Sequence, residues 1–467
     1  MRNDGLVNCR NSANSQGLTA GGLAGLFWSL CWAYLGQFFV VMSLAEMASM
    51  APTAGGQYHW VSEFAPRSMQ KILSYCSGWL STISWQSIIA IDSSIVGLII
   101  QSLIVINDDS YVPQKWQGTL FIWASVLGIA AFNVFAAKHL PLAEGIFASF
   151  HVFAFVPVIV TLWVLSPKTT AAQVFTHFSD NGAGWSNTGL TVMVGQVSTM
   201  FVVLGSDSVA HMAEEIEDAS VIVPKAMIWS FLLNVPFTFV LLITYLFCIT
   251  DIDAALASSS GFPFIWVFQN ALNSNRGTSG FVIVVLVLLV MITISSLAST
   301  SRQTFAFARD NGMPFSHWLG RVHPRWQIPV NSILFTCAFT MAISLINIGS
   351  SVAFNAILSL STVALMATYV ISIGCVTLKR YRREALPPAR WSLGRMGMPV
   401  NCVALAYACW SFFWSFWPNQ AHVTATNFNW ACVLFVGLMG IAGALYAFHA
   451  RHVYEGPVVK VEGREYR

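Results

Sequence analysis

Long, unbroken apolar runs alternate along this chain with short polar connections. Eleven such runs lie near residues 23–44, 77–106, 116–136, 141–165, 190–210, 226–249, 280–300, 329–348, 353–377, 399–417 and 427–448. At 1.5 Å of rise per residue, roughly 17–25 residues suffice to cross a ~30 Å hydrocarbon core. The runs are continuously apolar rather than alternating, so they predict helices and not barrel strands. The second exceeds one crossing and is expected to tilt. The pattern predicts an all-α polytopic membrane protein. Its transmembrane domain spans residues 18–450, between a polar N-terminal tail, 1–17, and a C-terminal tail, 451–467.

Composition agrees. Of 467 residues, 56% are hydrophobic and 9% charged, against about 25% charged in soluble domains. Such a chain cannot cover a soluble globule with polar surface. The basic residues cluster between spans, where they set orientation, so the net charge of +3 implies no nucleic acid partner. If loops alternate sides, one side holds 18 of the 23 Lys and Arg residues. They concentrate in Arg302–Arg325, in KRYRREALPPARWSLGR at 379–395 and after Arg451. This predicts a cytoplasmic C-terminus and, with eleven spans, an external N-terminus. The nine Cys are scattered, without metal or disulfide spacing. The first residues, MRNDGLVNCRNSANSQG, hold no apolar signal segment, and Arg2 excludes N-myristoylation.

The run that begins near Leu190 is interrupted at VVLGSDSVAHMAEE, residues 202–215. Leu190 to Leu204 covers about 22 Å of helix, which places the interruption inside the bilayer. Gly205 can leave helical geometry freely, and Ser206, Asp207 and Ser208 compete for backbone bonds. Unpaired backbone is costly in lipid, so a break survives where protein or a wet cavity satisfies it, as at the substrate sites of secondary transporters. The alternative is a kink, with Asp207 capping the helix that follows. Beyond it, His211, Glu214, Glu215, Glu217 and Asp218 read as a half-helix reaching the interface with its acids solvated. His211 and Glu215, four apart, would share a helix face, but a third metal ligand is missing.

Asp92 lies near the middle of the second run, and a carboxylate there is costly and a functional candidate by default. It stands about 100° away from a polar stripe of Gln86, Ser93, Gly97 and Gln101. His151, in the fourth run with Glu144, could carry a coupling proton or serve only as a hydrogen-bonded packing residue. Gly437, Gly440 and Gly443 permit close helix packing. No HExxH or GxSxG pattern supports an enzyme.

The segment GSDSVAHMAEEIEDASVIVPKAM at 205–227 resembles the discontinuous sixth helix of the amino acid/polyamine/organocation permeases, in the fungal branch that carries amino acids, GABA or choline. Further pieces follow in order: SLAEMASMAPTAGGQYHWVSEFAP at 43–66, GFPFIWVFQNA at 261–271, SRQTFAFARDNGMPFSHWLGRVHPRWQIPVN at 301–331 and LPPARWSLGRMGMPVN at 386–401. Together they cover about residues 18–455.

The resemblance implies a five-plus-five inverted-repeat fold, transport by alternating access, and no cofactor. It implies a small-molecule substrate, an amino acid, GABA or choline, bound at Leu204, Gly205, Ser206 and Asp207, with Asp207 meeting an amino group. It implies a proton as coupling ion, for which Asp92 and His151 are the candidates, and a plasma-membrane or vacuolar location. GLTAGGLAGLFW at 17–28 resembles the connection from the first family helix into the second, so that first helix is expected to be absent. A non-transporting remnant or membrane sensor is the alternative reading.

Overall fold

The computed structural model describes residues 13–349, 352–424, 427–454 and 456–457. A short helix, α1 (Ala13–Thr19), leads into the long helix α2 (Gly22–Met50). The short α3 (Gln57–Phe64) precedes α4 (Gln70–Asn107), α5 (Lys115–Phe135) and α6 (Leu140–Leu165). After α7 (Ala171–Phe175), one span is assembled from α8 (Thr188–Gly195), α9 (Val197–Val202) and a 3₁₀ segment, Ser206–Glu215. Next come α10 (Ala219–Cys248), α11 (Ile252–Leu256), α12 (Pro263–Leu272) and α13 (Asn275–Arg309). The last part holds α14 (Ser316–Leu319), α15 (Val330–Ser344), α16 (Ile346–Gly349), α17 (Val352–Tyr381), α18 (Gly397–Trp414), α19 (Ala431–Leu445) and α20 (Arg451–Val453).

Among the described residues, ten helices are long and apolar enough to cross a membrane, and α15 is a shorter apolar eleventh. The chain is therefore an integral multi-pass membrane protein with the all-α architecture expected. The order long helix, short helix, very long helix occurs twice, as α2–α3–α4 and as α10–α12–α13. In the first the short helix lies at one end of the bundle, in the second at the other. This order fits the inverted repeat that the resemblance implies, and α2 packs on α10 and α4 on α13.

The two ends differ in charge. At the basic end α3 and α20 meet the start of α4, where Lys71 Nζ donates to the Arg451 carbonyl (2.7 Å). At the opposite end Ala20–Gly21 pairs with Ser179–Asp180 as a minimal antiparallel ladder, and the Ala421 N–H donates to the Ala183 carbonyl (2.7 Å).

Burial sorts the helices. In the most apolar stretch of α17, 83% of positions are buried, against 11% in the spans containing α6 and α19. Thus α17 runs through the centre, packed on α4 and α18, while α6 and α19 form the lipid-facing rim. This corrects one expectation: Gly437, Gly440 and Gly443 lie on the exposed face of α19, and a Cβ at each would meet nothing within 4 Å. Gln16 and Gly17 are already buried in α1. Residues 1–12 lie outside the described residues.

Candidate substrate site

The broken span starts cleanly. Asn187 Oδ1 accepts from the Leu190 N–H (3.1 Å) and caps α8. After α9 the backbone leaves the helix at Val203, and Gly205 takes the left-handed conformation, φ +93° and ψ 1°. An L side chain rarely adopts that φ, which explains glycine here. The chain then winds as a ten-residue 3₁₀ helix, the tighter form common where a helix is interrupted.

Two features make the break a receptive surface. A Cβ at Gly205 would meet nothing within 4 Å, so the backbone there borders open space, with Leu204 and Ser206 partly exposed beside it. Among the described residues the peptide N–H groups of Gly205, Ser206 and Asp207 make no hydrogen bond. Successive free N–H groups at a helix start attract an anionic group.

Asp207 does not face that space. It is completely buried, and both its oxygens are engaged. Gln57 Nε2 donates to Oδ2 (2.5 Å) and the Tyr369 hydroxyl donates to Oδ1 (2.8 Å). His211 Nε2 stands 3.8 Å from Oδ2. Asp207 thus ties the 3₁₀ segment to α3 and to the central helix α17.

The linker between α2 and α3 completes this arrangement. Its carbonyl at Ala54 lies 2.9 Å from His211 Nδ1. Gly56, with φ +54°, lets the linker lie against the His211 ring, since a Cβ there would stand 2.9 Å from Cε1. The edge of Trp85 covers the other side, its ring centroid 5.3 Å from that of His211. Gln57 lies within the PTAGGQYHW stretch, but nothing in its residue type marked it as a partner of Asp207. Tyr369 sits in an apolar run and carried no signal at all.

The acids after the break are exposed, as expected, and three of the four are paired as well. Glu214 forms a two-pronged bond with Arg309 (2.8 and 2.8 Å), Glu215 pairs with Arg302, and Asp218 with Arg390. Arg380 pairs with Glu46, which also accepts from the Leu393 N–H (3.0 Å). Lone cationic side chains near lipid are costly, and these four arginines find their counter-charges at the basic end. Nor do His211 and Glu215 share a face. A 3₁₀ helix has three residues per turn, so His211 turns inward while Glu215 turns to Arg302. At the same end the Tyr58 hydroxyl donates to Asp310 (3.0 Å). Burial first, then the neighbouring carboxylate, hold that hydroxyl well above its ordinary pKa, so it remains a donor.

The other sequence candidates lie elsewhere. Asp92 meets Ser296 of α13. The polar stripe beside it is spent on helix contacts, with Gln86 donating to Thr304 and Thr336. His151 packs edge-on against Phe237 of α10, centroids 5.9 Å apart, on the exposed rim helix α6. Neither touches the break.

Comparison with known proteins gives this geometry a family. The amino acid permease family model matches residues 9–438. A candidate amino acid/polyamine transporter of Macrophomina phaseolina is 30% identical over 418 residues, 89% of this chain and 92% of its own. The amino-acid permease BAT1 of Arabidopsis thaliana is 28% identical, covering 95% of this chain and 88% of its own. A choline transporter of Saccharomyces cerevisiae is 27% identical, covering 90% and 74%. With a span broken at a left-handed glycine and a match across nearly its whole length, the chain belongs to the amino acid permease family of membrane transporters.

Proposed function

We propose that this transporter carries an amino acid or a closely related amine by alternating access, coupled to a proton, with the substrate lodged at Leu204–Ser206. The observation that carries the reading is the break itself: open space at Gly205 beside three unbonded peptide N–H groups. A carboxylate end fits those donors. Asp207, occupied by Gln57 and Tyr369, acts in this reading as the residue that holds the break in shape. The amino end of the substrate is then met by other groups of the site. Choline is the second reading, because one relative bears that name. Choline lacks a carboxylate and would leave the N–H groups unused, so the geometry favours an amino acid or GABA.

The ion pairs at the basic end support alternating access. They fasten the segment beyond the break to α13 and to the 382–396 loop, and opening a path to that side requires them to part. The excess of Lys and Arg supports a cytoplasmic position for that end. The plasma membrane is the proposed location, with the vacuolar membrane as the alternative that a fluorescent fusion would reveal.

Uptake of labelled L-amino acids, GABA and choline by the purified chain in liposomes tests the reading. Saturable amino acid or GABA uptake that rises with an imposed pH gradient is the expected result. Uptake of choline alone would select the second reading, and no uptake of any would remove both.

A further inference from the structure

We infer that Asp207 and His211 together form the binding site for the coupled proton, a role that sequence reasoning gave to Asp92 or His151. The inference rests on the proton-coupled reading above and names where that proton is held.

The argument begins with the histidine tautomer. A carbonyl oxygen can only accept, so the 2.9 Å contact between His211 Nδ1 and the Ala54 carbonyl puts a hydrogen on Nδ1. In the neutral ring Nε2 is then the basic nitrogen, with its lone pair outward. Nε2 is buried and makes no hydrogen bond, and 3.8 Å away stands Asp207 Oδ2. Two acceptors thus confront each other in a site from which both side chains exclude water, each being 0% exposed. One added proton resolves the conflict. Taken from solvent, it converts neutral His211 and anionic Asp207 to a pair of net charge zero, bonded Nε2–H to Oδ2. Released, it restores the facing acceptors.

Among the described residues, no other charged side chain contacts the pair. On the same segment Glu214 and Glu215 are neutralised by Arg309 and Arg302 of α13. Tyr369 from α17 and Gln57 from α3 donate to Asp207 without charge. Trp85 faces the ring from α4. Lys225 of α10 is exposed, and Glu46 of α2 is held by Arg380.

The dyad is also connected to both places that coupling requires. Asp207 is two residues from Gly205, so protonation acts on the strut that shapes the break. In the other direction the Ala54 peptide carries the link onward, its N–H donating to Glu214 Oε1 (3.3 Å). Glu214 lines a cavity of about 370 Å³ at the basic end with Thr53, Gly55, Tyr58, His59 and Arg309. That cavity opens beside the Ala54 peptide that holds the His211 ring. Asp92 and His151 have neither connection.

The test uses the full chain in nanodiscs and in liposomes. His211→Asn keeps a donor for the Ala54 carbonyl and removes the titrating nitrogen; Asp207→Asn removes the other half. With ¹⁵N-histidine labelling, one resonance missing from His211→Asn is expected to take up a proton on Nε2 as pH falls, with an altered titration in Asp207→Asn. A His211 resonance that stays neutral across the pH range in which uptake responds overturns the assignment. In liposomes with labelled L-amino acids and GABA as probes, both variants are expected to lose the response to a pH gradient, while Asp92→Asn and His151→Gln keep it. A wild-type response that both dyad variants retain overturns this site alone. Wild-type uptake indifferent to the gradient overturns the proton-coupled reading and this site with it. Should His211→Asn not reach the membrane, His211→Gln, which also keeps a donor, supplies the missing resonance, and Asp207→Asn the transport readout.

Discussion

Substitution of Gly205 separates strain from occupancy. The left-handed φ of +93° costs an alanine about 1–2 kcal/mol, which is about fivefold to thirtyfold in an equilibrium. Its Cβ meets nothing within 4 Å, so no clash adds to that figure. Gly205→Ala is therefore expected to reach the membrane normally and to raise the KM for labelled substrate within that range. Gly205→Leu carries the same strain and also fills the space that the substrate is to occupy. Its uptake should be abolished at unchanged membrane level. Gly78→Ala provides the contrast, because its Cβ would lie 2.2 Å from the Phe307 ring and should lower the amount of folded protein. Membrane abundance and initial uptake rates, measured on all three, give the answer. If the leucine variant transports with wild-type kinetics, or if alanine and leucine behave alike, the open space is not the substrate position.

Tyr369→Phe removes a donor from a buried carboxylate, at a cost of about 1.5–3 kcal/mol, and should lower both thermal stability in detergent and uptake; an unchanged melting curve would contradict the strut role of Asp207. Arg309→Ala should weaken closure of the basic end only slightly, by about 0–1 kcal/mol, because the Arg309–Glu214 pair is 41% and 38% exposed. A thiol probe applied from the basic side should then reach the break faster, and equal rates in the two proteins would remove the pair from the gate. A C-terminal epitope should be protected in intact cells and exposed after permeabilisation; exposure in intact cells would invert the orientation.

How much of this was legible depended on whether a feature is local. Spans are local, because the bilayer demands continuous apolar length, and the runs around α4, α13 and α17 declared themselves. The break was legible for the same reason: Gly205-Ser206-Asp207-Ser208 is out of place inside an apolar run. What Asp207 touches was not local. Its partners come from 150 residues before it and 162 after it, and no spacing rule links them. As orientation signals Arg302, Arg309 and Arg390 are counted and not paired, so the sequence does not show the partners of the acids beyond the break. Asp92 drew attention because it is charged at mid-membrane. The fold places Ser296 of α13 beside it, and the site proposed above for the proton is instead an acid and a histidine four residues apart.

The central claim, that substrate occupies the break, is tested most directly by Ser206→Cys. Its labelling by a small polar thiol reagent, in the presence and absence of transported substrate, is compared with labelling of the wild-type chain to correct for the native cysteines. The account predicts that Cys at 206 reacts and that saturating substrate slows the reaction in proportion to site occupancy. Labelling at 206 that proceeds at the same rate with the site saturated would contradict it.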